Sequence, residues 1–322
     1  MNPQTAQHCI QHMTTQLARV IVGQPLVIQQ VITAVCANGH VLLEGAPGLA
    51  KTTLVRTLAH LLGLSFGRVQ CTPDLMPSDV IGTMMLFDSQ PGQYALRFAP
   101  GPIFASLVLV DEINRTTPRT QSALLEAMQE HTVTVAGTTH VLPDPFLVLA
   151  TQNPIEMEGT YPLPEAQRDR FLYQINVPFP AVDDLVEIAR REALAAPIQS
   201  EILPSACTLH EIRSVCQQML VSDALLHYVA LLVRATHPDH SPVAAVRDLV
   251  RYGASPRAVQ AIVRTAQVQA MCAGRLHVDV SDVHQVLLPT LRHRIVLRRE
   301  ASLSHVGSDA LINEIMTQVP LP

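Results

Sequence analysis

The chain has 322 residues, 48% of them hydrophobic and 15% charged, with a formal net charge of −5 and six cysteines. That length gives room for about two domains with a core each, and the charge balance, 9 basic against 13 acidic side chains in residues 1–180 and 13 against 14 in 181–322, makes neither half a basic platform for nucleic acid. No apolar run approaches the roughly 18 residues of a membrane span, the N-terminus lacks a basic and then apolar leader, and no Cys-x-x-Cys pair occurs, so no membrane insertion, reduced thiols and a cytoplasmic setting are expected.

In chain order the first informative element is the apolar run Val41–Glu44, which reads as a short buried strand. It leads into Gly45-Ala46-Pro47-Gly48-Leu49-Ala50-Lys51-Thr52 and then into the helix-like Thr53–Ala59. Lys51 is the only lysine, the other 21 basic residues being arginine. A compact ammonium can sit among β- and γ-phosphate oxygens in a tight backbone nest where a broad guanidinium cannot, so the segment reads as a phosphate-binding loop. The plain alternative is a Gly/Pro turn from strand to helix, and Ala50 stands where the usual pattern has glycine.

Further strand-like runs follow at Arg68–Cys71, Leu107–Val110, Phe146–Thr151 and Tyr173–Val177, with helical patterns between them. Apolar runs spaced by helices predict a parallel sheet in an α/β sandwich. Two segments read as hairpins instead: Met84–Phe98, split at Asp88-Ser89-Gln90-Pro91-Gly92, and His131–Leu142, which turns at Ala136-Gly137. The third strand ends in Asp111-Glu112, suited to holding Mg²⁺ through the first acid and a water through the second, with the Thr52 hydroxyl as a further metal group. Helix-capping acids are the alternative, but the helix signal lies later, at Thr117-Pro118. The fourth strand ends near Asn153, which could bond the γ-phosphate or the attacking water.

Past Pro180 strand signals fade, and helices are expected over Asp183–Leu194, Thr208–Leu220, Ser222–Thr236, Ser255–Ala273 and Ser281–Leu291, with Thr208 and Glu211 spaced as a capping box. Pro178, Pro180, Pro197 and Pro204 mark the join, so the domains are set at 1–180 and 181–322. The basic run Arg292–Arg299 reads as an amphipathic helix at an interface or a solvated face, with nucleic-acid contact the minor option, and His237-Pro238-Asp239-His240 reads as a polar loop rather than a metal corner.

Taken together these motifs resemble the MoxR family of AAA+ ATPases, from about Val20 to Ala301. The phosphate loop, Asp111-Glu112-Ile113-Asn114-Arg115, Gln121–Glu130, Ala150-Thr151-Gln152-Asn153-Pro154, Gly159–Gln167, Asp169-Arg170-Phe171, Gly253–Ala258 and Leu291–Arg294 carry the likeness. Met157 and Arg168 depart from it. The resemblance implies a three-layer P-loop sandwich with a parallel sheet followed by an all-helical lid, with Mg²⁺-dependent ATP hydrolysis. It implies a nucleotide contact through Gly45 to Thr53 (Gly45, Ala46, Pro47, Gly48, Leu49, Ala50, Lys51, Thr52 and Thr53), with Val22 and Gly23 near the adenine. Glu112 would be the catalytic acid, Asp111 the metal residue and Asn153 the first sensor. Arg257 would be a lid sensor reaching its own subunit's phosphates. Arg170 would be a finger serving a neighbour, with Arg168 as the alternative. Without the family, either arginine reads as a surface salt bridge. The resemblance further implies a ring, expected to be a hexamer, and chaperone-like work on a client protein or metalloenzyme complex with a von Willebrand factor A-type partner. A nucleic-acid motor and a nucleotide-gated scaffold without hydrolysis are the rival functions.

Overall fold

Asn2 caps the first helix, its Oδ1 accepting from the Thr5 amide ahead of Pro3, whose missing N–H would be unpaired there in any case. The computed structural model describes residues 1–90, 93–154, 160–193, 201–203, 207–303 and 306–322; the Pro91-Gly92 turn, Met157, Gly159, Pro197 and Pro204 lie outside the described residues. Helix α1 (Pro3–Val20) buries Ala6, Cys9, Ile10, Met13 and Leu17 along one face against α2 (Pro25–Cys36) and its neighbours. Neither helix was among the expected elements.

Next come β1 (Val41–Glu44), α3 (Lys51–Leu61), β2 (Phe66–Gln70), α4 (Pro77–Ile81) and the hairpin β3 (Gly82–Gln90) and β4 (Gln93–Pro100). They are followed by β5 (Leu107–Asp111), α5 (Pro118–Glu130), the hairpin β6 (Thr132–Val135) and β7 (Thr138–Val141), β8 (Leu147–Gln152), the single turn α6 (Glu165–Arg168) and β9 (Tyr173–Asn176). Every expected strand and both expected hairpins form, and α5 starts at Pro118 as the Thr117-Pro118 signal indicated. Five strands make one parallel sheet in the order β2-β5-β8-β1-β9. Its alternate residues enter two cores. Val41, Leu43, Leu107, Leu109, Leu147 and Leu149 pack with α1, α2 and α3, whereas Leu42, Val108, Val110, Val148 and Ala150 pack with α4 and α5. Cover on both faces is why these strands read as unbroken apolar runs.

The second half contains α7 (Val182–Ala193), α8 (Leu209–Gln217), α9 (Asp223–Arg234), α10 (Ala244–Leu249), β10 (Val250–Tyr252), α11 (Arg257–Cys272), α12 (Val280–Leu291), β11 (Val296–Leu297), α13 (Arg299–Leu303) and α14 (Ser308–Gln318). Thr208 and Glu211 form the expected reciprocal cap on α8. Helices α8, α9, α11, α12 and α14 share one continuous core with α1 and α2. No helix among the described residues is long and apolar enough to cross a membrane.

Three expectations are corrected. The second half is not wholly helical, because β10 and β11 pair antiparallel; runs of two and three residues are too short to show a period. The run Arg292–Arg299 is a turn leading into β11 rather than an amphipathic helix. His293 and Arg294 are buried, a cost that Arg294 meets with a carboxylate from a remote segment, Asp169. Cys9 and Cys207, expected as thiols, are bonded to each other across 198 residues of sequence, a pairing that linear spacing could not reveal.

Candidate active site

The parallel sheet sets the geometry of the site by its two edges. At its carboxyl edge the chain leaves β1 for the phosphate loop, leaves β5 for Asp111-Glu112 and leaves β8 for Asn153. Open parallel sheets bind ligands in the crevice outside these strand ends. Lys51, Thr52, Thr53, Asp111, Glu112, Thr151 and Asn153 line one cavity there of about 360 Å³, together with Pro47, Gly48, Leu49 and Ala50.

Local chemistry fixes these groups. The Gly45 amide donates to the Gln152 carbonyl at 3.2 Å, pinning the loop to β8, and a side chain at Gly45 would collide with the Val177 carbonyl at 2.8 Å. Lys51 Nζ donates to the Gly45 and Ala46 carbonyls at 2.6 and 2.9 Å. Burial pushes the Lys51 ammonium below its ordinary pKa, while Asp111 and Glu112 pull the other way. Ala50 adopts φ 54°, ψ 20°, the left-handed conformation in which the usual glycine would be at ease. The methyl group is therefore tolerated at the cost of backbone strain.

The two acids are held by different partners. Asp111 is buried and accepts from Arg68 Nε at 2.8 Å and from Thr151 Oγ1 at 3.4 Å. Glu112 sits at φ 57°, ψ 52°; its amide donates to Thr151 Oγ1 at 2.8 Å and its carboxylate pairs with Arg115 at 2.9 Å. A non-glycine residue in that conformation stores strain of the kind found at functional positions. Arg68 and Thr151 were not picked from the sequence. The alternation of β2, in which Arg68 and Gln70 share the exposed side, was the available signal.

The groups present fit a divalent cation of a particular kind. No three His, Cys, Asp or Glu side chains converge into a metal cage among the described residues. Thr52 and Asp111 instead offer the one or two oxygen groups typical of Mg²⁺ that arrives with phosphates. Beside the phosphate cavity lies a second one of about 350 Å³, lined by Val20, Ile21, Val22, Leu49, Pro180 and Ile188 among others, apolar enough for a base. Val22 lines it; Gly23 does not. Gly23 (φ +73°) instead lets α7 approach, since a side chain there would lie 2.4 Å from the Asp184 carboxyl carbon.

At the amino edge the picture is different. Val41 is in register with Tyr173, and the Leu172 amide donates to the His40 carbonyl at 2.8 Å, so Asp169, Arg170 and Leu172 stand where β1 and β9 begin. The four residues of β1 separate this edge from the phosphate loop by roughly 13 Å at about 3.3 Å per residue. Arg170, Arg257, Arg264 and Arg294 line a separate cavity here of about 300 Å³, together with His40, Gln129, His131 and Asp169. Arg170 donates to the Leu125 carbonyl at 2.5 Å, whereas Arg168 does not line the cavity and its Nε is buried without a hydrogen bond. Asp169 accepts from Arg294 at 2.9 Å and from Ser255 Oγ at 2.9 Å, with Arg257 at 3.7 Å. Burial lowers the Arg294 pKa to about 10 against the pull of Asp169. Arg257, expected to reach its own subunit's phosphates, opens α11 at the amino edge and lines this cavity rather than the one around Lys51.

Elsewhere, residues 238–240 form a 3-10 turn, and the His237 ring bonds the Ala254 carbonyl at 3.0 Å, the polar loop expected.

Residues 40–173 match the ATPase family associated with various cellular activities (AAA), and residues 243–315 match the AAA lid domain. The chain is 42% identical over 316 residues to the Chaperone MoxR1 of Mycobacterium tuberculosis, an alignment covering 98% of this chain and 83% of that one. It is 35% identical to the Protein MoxR of Paracoccus denitrificans, over 94% of this chain and 93% of that one. A crystal structure of a candidate ATPase from Cytophaga hutchinsonii superposes with a TM-score of 0.91 at 39% identity, covering 99% of this chain and 97% of the other.

Proposed function

This chain belongs to the MoxR family of AAA+ ATPases, and from that premise we propose that it hydrolyses ATP with Mg²⁺ at the carboxyl edge of its sheet. One observation carries the reading: Lys51, Thr52, Asp111, Glu112 and Asn153, drawn from three strand ends, converge on one cavity. Lys51 moves from the loop carbonyls to the β- and γ-phosphate oxygens, and the backbone of Gly45 to Thr53 cradles the rest. Thr52 and Asp111 hold the cation, which when bound withdraws charge from the phosphate oxygens. Glu112 aligns the attacking water and takes its proton, and Asn153 bonds the water or the γ-phosphate. Val22 and its neighbours cover the base.

Arg170 and Arg257 act on a neighbour's nucleotide, so the working unit is a ring of copies, which we take to be a hexamer. The arginine-lined cavity on the edge opposite Lys51 is what favours this over action within one subunit. We keep the division into a nucleotide domain, 1–180, and a lid, 181–322. A chaperone-like role on a client protein or metalloenzyme complex, with a von Willebrand factor A-type partner, extends the same reading. The name of the mycobacterial relative supports the role, as do Met85, Leu86, Phe87 and Leu96, apolar side chains exposed on the hairpin of β3 and β4. The demand for ATP as fuel supports a cytoplasmic location.

The test is phosphate release by purified protein with ATP and Mg²⁺. Glu112→Gln is expected to bind ATP as tightly as the wild type and to lose at least about 100-fold in turnover. Turnover at the wild-type rate would remove Glu112 from its role.

A further inference from the structure

The cavity at the amino edge holds more positive charge than the proposed finger and lid sensor account for. Four guanidinium groups, Arg170, Arg257, Arg264 and Arg294, face it, and among the described residues Asp169 is the only carboxylate on its wall. Asp169 is largely committed to Arg294, whose Nε lies at 2.9 Å; its second oxygen accepts from Ser255, and Arg257 stands off at 3.7 Å. Arg170 donates to the Leu125 carbonyl and has no acidic partner among the described residues. Arg264 is exposed and has no acidic partner among the described residues. It sits seven residues beyond Arg257 on α11, two helical turns along, with Gln260 between them on the same wall. Four guanidinium groups against one carboxylate among the described residues, in a chain of net charge −5, suit a polyanion.

We infer that Arg264 is a third residue acting across the subunit boundary, binding the phosphates of the nucleotide held by the neighbouring copy alongside Arg170 and Arg257. The inference rests on the proposal that this edge faces a neighbour's phosphate loop. A row of three guanidinium groups on two elements, Arg170 ahead of β9 and the other two on α11, would spread charge over several phosphate oxygens. It would also tie the seating of a neighbour's triphosphate to the position of α11.

The experiment measures turnover, affinity for a fluorescent ADP and mixed-ring formation by native mass spectrometry. Arg264→Gln is expected to keep the affinity of its own intact phosphate loop within about twofold and to lose at least about tenfold in turnover, with Arg264→Lys recovering part of it. Mixed with Lys51→Ala subunits, Arg264→Gln should regain activity, because some boundaries then join an intact loop to an intact arginine row. Mixed with Arg170→Ala subunits it should regain none, since both lesions lie on the same side of the boundary. Wild-type turnover by Arg264→Gln, or equal recovery with both partners, would overturn the role of Arg264 and leave the shared site standing. If Lys51→Ala and Arg170→Ala subunits also fail to complement in proven mixed rings, the shared site itself falls.

Discussion

The two edges of the sheet are built in opposite ways. The carboxyl edge is assembled from short contiguous segments, each the continuation of a strand: the phosphate loop after β1, the acid pair after β5, Asn153 after β8. The amino edge draws on residues 38–40, 128–131, 169–172, 257–264 and 294, segments spread through the chain that meet only after the second half has packed on the first. The first edge holds its charged groups near the surface of a cavity, ready to exchange partners, as Lys51 Nζ does on two carbonyls. The second is locked by a buried guanidinium, Arg294, bonded to Asp169 and to the carbonyls of Phe171, Leu172 and Thr290. Substitutions at the carboxyl edge should therefore strike ligand binding and chemistry, and substitutions at the locked part of the amino edge should strike the fold.

Arg294→Ala is the strongest test of that contrast. Removing the guanidinium takes the closest ion-pair partner from Asp169 and a donor from the Phe171, Leu172 and Thr290 carbonyls, so stability should fall by about 3 kcal/mol, the low end of the range for breaking a buried pair. Urea denaturation of Arg294→Ala beside Lys51→Ala would check it. Loss of stability at Lys51 and none at Arg294 would invert the comparison.

His40 gives the second test. Its Nδ1 accepts from the Val148 amide at 3.0 Å, and its Nε2 lies 3.1 Å from the Met128 carbonyl, so the neutral ring bridges β8 and the end of α5. Burial drives its pKa down to about 4, with His131 and Arg213 adding to the shift. Because the unfolded chain binds this proton at about 6.5 and the folded one does not until about 4, the contribution is complete above pH 6.5 and is lost as pH falls to 4. The loss is on the order of 3 kcal/mol for a shift of this size. His40→Gln should flatten the slope of stability between pH 6.5 and 4, and an unchanged slope would assign the pH dependence elsewhere.

The smallest effect belongs to the carboxyl edge. Ala50→Gly removes the cost of a left-handed alanine, about 1 kcal/mol, so thermal stability should rise slightly with nucleotide affinity unchanged. A drop in stability would mean that the methyl group packs usefully.

How much of this was legible follows the same division. The phosphate loop, the acid pair, Asn153, five strands and two hairpins were readable because each is encoded within about ten residues by period and turn chemistry. The stripe Ala6, Ile10, Met13 and Leu17 marks α1 equally openly. Other features were not local. Arg294 looks like one cation in an amphipathic run until the fold supplies Asp169, and Cys9 has no sign of Cys207 in its surroundings. The placement of Arg257 against the far edge was hidden because it depends on which face of the sheet the second half covers, a matter of packing that no local pattern encodes.

The central claim is that one working site needs both edges, taken from two copies of the chain. Arg170→Ala and Lys51→Ala proteins, each inactive alone, should be mixed, shown by native mass spectrometry to share rings, and assayed for phosphate release. Activity should reappear and rise with the fraction of mixed boundaries, because an intact loop then meets an intact finger. Mixed rings that release no phosphate would contradict the account.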